Sequence, residues 1–277
     1  MEFLRFAVWR TFINQKNLLL IMTRLIVYNI EYCEGMKGHW WGYLKFWRIF
    51  SPPPKIEKGL INWLKKKKPD ILALIEVDKG SFRSKFEDVP QFIEHKLGFK
   101  SMVDYVKYPF VSFLRLFHFI PILREQSNAL LSKYPLIQVK HHLFSEGTKR
   151  VVIEASTKCP KKITFFVVHL ALGTKTRAKQ LKELAKIIKK IKNPVILIGD
   201  FNLFHGKQEL DYLIKETHLK DAYELDYTKI KFTAPTFHPC RRLDFVLVSK
   251  EIKVKDYEIL KADFSDHLPV MLDFKVK

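Results

Sequence analysis

The sequence predicts an α/β fold, and three observations carry that prediction. Apolar strand-like runs recur from Arg24 to the C-terminus, helical spacings fall between them, and several runs close on polar residues. The stretch that organises the rest is Pro194-Val-Ile-Leu-Ile-Gly-Asp-Phe-Asn202. An unbroken β-branched and aliphatic run reads as a buried central strand. Gly199 ends it, and Asp200 and Asn202 follow two positions apart, on one face of extended backbone. Open α/β sheets bind ligands at that end of their strands. A strand stopping at a solvated turn is the bland alternative. It loses ground because other runs in the chain end in the same way.

Length and composition set bounds. A chain of 277 residues buries a full core as one large domain or two small ones. With 47% hydrophobic and 28% charged residues it belongs with soluble globular proteins. Lys and Arg total 49 against 29 Asp and Glu, a net charge of +20 that favours nucleic acid, an anionic membrane surface or phosphorylated substrates. A Lys-rich solvated surface of a heat-adapted protein has the same composition. Cys33, Cys159 and Cys240 have neither disulfide nor zinc spacing, which points to a reducing, cytoplasmic setting. No apolar run approaches the ~20 residues that span a bilayer, and no signal-peptide core of at least ~7 apolar residues is present. Residues 1–21 read as an N-terminal extension, and 22–277 as one folded domain without repeats or linkers.

In chain order, Arg24-Leu-Ile-Val-Tyr-Asn-Ile-Glu31 is a strand whose last polar residues, Asn29 and Glu31, lie two apart and share a face. The connection from Cys33 to Lys55 carries Trp40, Trp41 and Trp47 among basic residues, and a loop of that length is usually functional or mobile. Ile56, Leu60, Trp63 and Leu64 have helical spacing, with Lys65 to Lys68 suited to the helix's C-terminal end. Asp70 to Glu76 is a second buried strand, ending in a carboxylate. Phe92 to Leu97 reads as helix and Phe99 to Tyr105 as strand. Pro109 to Leu123 is rich in Phe and Leu but too short to span a membrane; it reads as core packing or as an apolar lid.

Asn128 to Pro135, Arg150 to Ala155 and Ile163 to Leu170 are further strands, the last reaching His169. Residues 176–192 are helical, with Leu181, Leu184, Ile188 and Ile191 inward and Lys179, Lys182, Lys186 and Lys189 outward. A helix is expected near Gln208 to Thr217. Arg242 to Val248, Ile252 to Leu260 and Asp266 to Phe274 complete the set.

The polar groups at strand ends are Asn29, Glu31, Glu76, His169, Asp200, Asn202, Asp244, Asp266 and His267. Phosphate-ester hydrolysis asks for this inventory. Hard carboxylate oxygens suit a magnesium ion that keeps several waters, and manganese is its natural substitute. A histidine or carboxylate takes a proton from water, and a second histidine or an amide holds developing charge. An Asp inside an apolar strand, such as Asp244, is costly without a partner, and His267 is the candidate. His169 alone reads equally well as a satisfied core histidine.

Asn29, Ile-Glu76, Val-His169-Leu, Gly-Asp200-Phe-Asn202, Arg-Leu-Asp244-Phe and Ser-Asp266-His267-Leu-Pro, in this order across residues 24–275, resemble the motifs of the endonuclease/exonuclease/phosphatase superfamily. The resemblance implies a four-layer α/β/β/α sandwich of two packed mixed β-sheets, with the site where their loops meet. It implies Glu76 as the principal metal ligand, Asn29 beside it and Asp266 at a second metal position; Glu31, two residues from Asn29, is a weaker candidate, a solvated residue starting the loop being the alternative. Asp200 and Asn202 would orient water and phosphate, and His267, held by Asp244, would be the acid or base. His169 would contact the phosphate or the leaving group. Arg177, with Gln180, resembles a recurring Arg-x-x-Gln of the family, with a purely structural role at a helix start as the alternative; Arg177 and Asn128 are assigned to substrate, as are Trp40 and Trp41. A His at 169 departs from the branches that act on abasic DNA.

The expected activity is therefore a magnesium-dependent phosphodiesterase acting on nucleic acid, in a cytoplasmic monomer. The alternative is a sphingomyelinase-like enzyme peripheral to an anionic membrane surface, with the Trp-rich and Phe-rich stretches at the interface. A non-catalytic binding module is a third reading, weakened because every catalytic position holds a competent residue.

Overall fold

A computed structural model describes residues 22–33, 54–81, 84, 86–106, 126–158, 161–225 and 232–277. The extension 1–21, the tryptophans 40, 41 and 47, and the Phe-rich stretch 110–123 lie outside the described residues. Strands β1 (Thr23–Asn29), β2 (Ile71–Asp78), β3 (Ser101–Val106), β4 (Gln126–Ser132), β11 (Ile252–Ile259) and β12 (Val270–Val276) form one sheet, in the order β11-β12-β1-β2-β4-β3. The second sheet runs β5-β6-β7-β8-β10-β9, from β5 (Leu136–Leu143), β6 (Val151–Thr157), β7 (Ile163–His169), β8 (Val195–Asp200), β9 (Lys220–Asp221) and β10 (Asp244–Val248). Both sheets are mixed: β1 pairs β2, and β7 pairs β8, in parallel, while the remaining pairs are antiparallel.

Side-chain alternation makes this a four-layer sandwich. Leu25 and Val27 of β1 point to the same apolar seam as Phe165 and Val167 of β7, Ile196 and Ile198 of β8, and Val246 of β10. The intervening residues Ile26 and Tyr28 face helices α1 (Pro54–Lys67) and α2 (Val89–Leu97), meeting Leu60, Leu64 and Ile93. On the far side Phe166, Val168 and Leu197 pack on α3 (Thr174–Ile188) through Leu181, Leu184 and Ile188. Strands covered on both faces must read as continuous apolar runs, and these do.

Local signals account for the helix ends. The Asp88 side chain accepts from the Gln91 N–H and caps α2, whose other end closes on Gly98 in the left-handed region. The helix expected over 176–192 ends at Ile188, so Ile191 lies beyond it, half-buried. The helix expected near 208–217 is a 3-10 turn, Lys207–Leu210, running into α4 (Asp211–Thr217) and followed by the short α5 (Ala222–Leu225). Edge strand β5 was not expected, because its exposed Gln138, Lys140 and His141 lack the apolar signature of the interior strands.

Gly199 is required by a close approach. Its φ is +143°, and a Cβ there would stand 1.8 Å from the Val168 carbonyl oxygen. The neighbouring parallel strand thus approaches closely one residue before Asp200.

Candidate active site

The seam between the sheets ends in polar groups because alternation carries its inward positions past the last apolar residue. After Leu25 and Val27 comes Asn29; after Phe165 and Val167, His169; after Ile196 and Ile198, Asp200. Strand β10 runs the other way, so its inward set begins with Asp244. Register places these groups side by side: His169 pairs Asp200 across β7 and β8, and Asp244 pairs Asp200 across β10 and β8. From the other sheet Asn29 Nδ2 donates to Asp200 Oδ2 at 3.1 Å.

Glu76 reaches the site by a different route. Alternation on β2 would put it with Leu72 and Leu74 on the helix-covered face. Instead the pairing with β4 shifts register between Leu74 and Val77, and Glu76 takes a φ of +55°. This bulge turns the carboxylate inward, where Oε1 lies 3.7 Å from His169 Nδ1 and 3.9 Å from Lys149 Nζ. Asn128 Oδ1 accepts from the Glu76 N–H at 3.3 Å and pins the bulge.

His267 Nδ1 lies 2.7 Å from Asp244 Oδ2, with both side chains almost wholly buried. The Thr233 hydroxyl accepts from the N–H groups of Leu243 and Asp244 at 3.0 and 3.2 Å, holding the start of β10 in place. Burial by itself would lower the His267 pKa, but the charge and hydrogen bond of Asp244, with Asp200 and Asp266 nearby, hold it well above the ordinary histidine value. Burial pushes the Asp200 carboxyl up to about 6, with Asp244 adding to the rise and His267 and Lys149 opposing it. The Asp266 carboxyl is also raised, by burial and by the charges of Glu76 and Asp244, against the opposing pull of His267.

These groups surround a cavity of about 320 Å³ whose wall includes Asn29, Glu31, Glu76, Lys149, Asp200 and His267. Asn202, Asp266, Leu172, Phe204 and Arg241 complete the part that matters here. Among the described residues, no three His, Cys, Asp or Glu side chains form a ready-made metal cage. The donors on the wall are nonetheless oxygens of Glu76, Asn29, Glu31 and Asp266, suited to a hard cation that keeps most of its waters. The mutual repulsion that raises Asp266 beside Glu76 is what a dication would relieve.

Residues 28–267 match the profile of the Endonuclease/Exonuclease/phosphatase family. The chain belongs to that family. Its phosphoesterase fold is shared with a family protein of Bacteroides thetaiotaomicron at TM-score 0.71, with 15% identity over 93% of this chain and 98% of that one. The human Nocturnin catalytic domain with bound sulfate anion superposes at TM-score 0.67, with 20% identity over 92% and 94%. Among curated relatives, the UPF0294 protein plu0699 of Photorhabdus laumondii is 29% identical over 157 residues, 55% of this chain and 52% of its own length. The chain thus spans about half the length of the curated relatives it matches.

Several positions differ from the sequence expectation. Glu31 does not continue β1: it begins a 3-10 turn at φ +41°, and its carboxylate accepts from the Asp266 N–H at 3.3 Å. Arg177 is not on the cavity wall. It is fully buried, its Nε donating to Glu209 at 2.9 Å and its Nη1 to the carbonyls of Ala171 and Leu172. Gln180 joins it, accepting from the Ala171 N–H and donating to the carbonyls of Glu146 and Lys149. Both residues shape the loops that carry Lys149 and Leu172. Asn128 holds backbone rather than facing the cavity, and His169 lies behind Lys149, which contacts its Nε2. Asn202, at φ +53°, donates from Nδ2 to the Leu170 carbonyl while its N–H bonds Asp200 Oδ1 at 2.9 Å. Lys149 and Arg241 escaped the sequence reading because nothing local sets them apart from the other basic residues of the chain.

Proposed function

We propose that this protein is a magnesium-dependent phosphodiesterase whose substrate is nucleic acid. The observation that carries the hydrolytic reading is the buried Asp244–His267 pair beside a cavity that also presents Asp200. An imidazole held at Nδ1 by a carboxylate keeps one orientation and favours its protonated form. As imidazolium, His267 donates to a phosphoryl oxygen and offsets the charge that grows there. Asp200, raised to about 6, is largely ionised at neutral pH yet basic enough to accept a proton from water. The water oxygen bonds to phosphorus as its proton passes to Asp200, and the ester P–O bond breaks. Asn29 and Asn202 fix the two oxygens of Asp200, which aims its remaining lone pairs. Lys149 supplies a cation toward the bound phosphate. Glu76, Asn29 and Asp266 would hold the magnesium ion, with Glu31 adjoining. Bound there, the ion would neutralise a phosphate oxygen and stabilise the departing one.

Nucleic acid is favoured by the net charge of +20 and by Arg241 on the cavity wall, which has no ion pair among the described residues. A second reading, hydrolysis of lipid headgroups, draws on Leu172, 59% exposed at the cavity rim. Hydrolysis of DNA and RNA oligonucleotides, inositol phosphates and phospholipid vesicles, each with magnesium and with chelator, decides between them. Oligonucleotide cleavage that needs magnesium and weakens with salt is the expected result. Cleavage of vesicle lipid alone would replace the nuclease reading with the second one.

A further inference from the structure

A groove of about 980 Å³ lies beside the catalytic cavity, within the size range of small-ligand sites. Phe204 and Arg241 belong to both walls, so the two spaces adjoin. The groove floor is apolar, from Leu219, Phe245 and Ile214, and its rim carries Phe232 and Phe204, 40% and 39% exposed. Its charged residues are largely spoken for: Arg242 is bidentate to Asp221, and Lys207 pairs with Glu224. Arg241 is different. Like Lys220 it has no ion pair among the described residues, but its guanidinium lies 5.3 Å from the centre of the Phe204 ring.

The rim is built on the same strand ends as the catalytic groups. Phe204 follows Asn202 by two residues, and its N–H donates to the Asn202 carbonyl at 2.9 Å. Arg241 pairs with Ala234 across a bridge, and the Thr233 between Phe232 and that bridge also anchors Asp244. Aromatic faces and a stacked cation are therefore held at fixed distance from the phosphate position. Exposed rings of this kind, flanked by Arg, are what stack nucleobases without reading their edges.

We propose that this groove receives the nucleobase flanking the scissile phosphate, stacked against Phe204 and Phe232, with Arg241 on the phosphate linking the two spaces. The inference rests on the nucleic-acid reading above and adds where the substrate's base lies. The test compares kcat/KM, with magnesium, for a short single-stranded oligonucleotide and for the same strand made abasic on either side of the cleaved bond. Stacking contributes enough per base to make the natural strand better by about 5- to 150-fold. Phe204→Ala and Phe232→Ala should each cut that ratio at least about five-fold, while Phe232→Tyr, which keeps the ring, should retain it. Both rings are substantially exposed, so a thermal melt should show the Ala variants folded. A ratio unchanged in both Ala variants, with oligonucleotide cleavage intact, would overturn the groove assignment and leave the nuclease reading standing. No oligonucleotide cleavage at all, beside magnesium-dependent cleavage of phosphatidylcholine vesicles, would overturn both.

Discussion

His267 and Asp244 meet at 2.7 Å, Nδ1 to Oδ2, although they are 23 residues apart, Asp244 opening β10 of one sheet and His267 in the loop before β12 of the other. The other oxygen of Asp244 has no hydrogen-bond partner among the described residues, so the carboxylate's one bonded contact is the imidazole. A buried carboxylate with that single commitment fixes the ring and its charge together.

Removing His267 should therefore remove both the orientation and the positive charge. His267→Ala is expected to lower kcat at least ~100-fold, the usual contribution of a positioned acid-base group. Asp244→Asn should also be severe, and the double variant little worse than the worse single one, because groups that act as a unit are not additive. A double-mutant cycle on kcat at saturating magnesium tests this. Additive losses would show that the pair does not act as one.

Glu76 is presented by a bulge rather than by a regular strand position. Glu76→Gln keeps shape and backbone but removes the anionic ligand, so magnesium affinity should fall while the melting temperature without metal is retained. Calorimetric titration reads the affinity directly. Asn128→Ala should weaken magnesium binding as well, by releasing the Glu76 N–H, and should act through the same residue.

The raised Asp200 carboxyl has a consequence for metal-free protein. Its pKa is higher in the folded chain, about 6, than the model-peptide value of 3.8. A folded-state pKa raised in this way contributes stability that is complete below 3.8 and is lost as pH rises through about 6. His267 has the same sign, its contribution being lost only as pH passes through its own raised value, well above 6.5. Thermal melts of chelated protein should accordingly decline between about pH 4 and about pH 7, and Asp200→Asn should flatten that decline. An identical slope in the variant would assign it to another group.

Arg177 should matter for stability rather than for substrate. Its side chain is fully buried against Glu209 and loop carbonyls, so Arg177→Met leaves an uncompensated charge and unpaired acceptors. Breaking one side of such a buried pair costs about 3–5 kcal/mol. Denaturant melts should register that loss, while KM of the remaining folded enzyme stays close to wild type. A stable variant with raised KM would return Arg177 to the substrate.

Much of the frame and part of the site are legible in the sequence. The run Val195–Ile198 is apolar at every position, which only a strand covered on both faces requires, and its alternation carries straight on to Asp200. The same counting works for Asn29 and His169, whose inward positions extend apolar sets already visible in the sequence. Local periodicity fails where backbone departs from it. Glu76 faces inward only because β2 bulges against β4, and a bulge depends on the partner strand and on Asn128, 52 residues away. Alternation would have kept Glu31 on the strand with Asn29, but β1 ends at Asn29 and Glu31 opens a 3-10 turn. Arg177 stands at the start of a helix, where sequence alone leaves a substrate role and a structural role both open; the structural one holds because Glu209 arrives from a later turn to bury it. Lys149 and Arg241 are two basic residues among many, and only the meeting of separate loops puts them on one cavity wall. Alternation and amphipathic period are properties of neighbouring residues, so the sequence by itself determines layers and strand ends. Which side chains meet across those ends is set by register, bulges and loop closure, and these exist only once both sheets have packed.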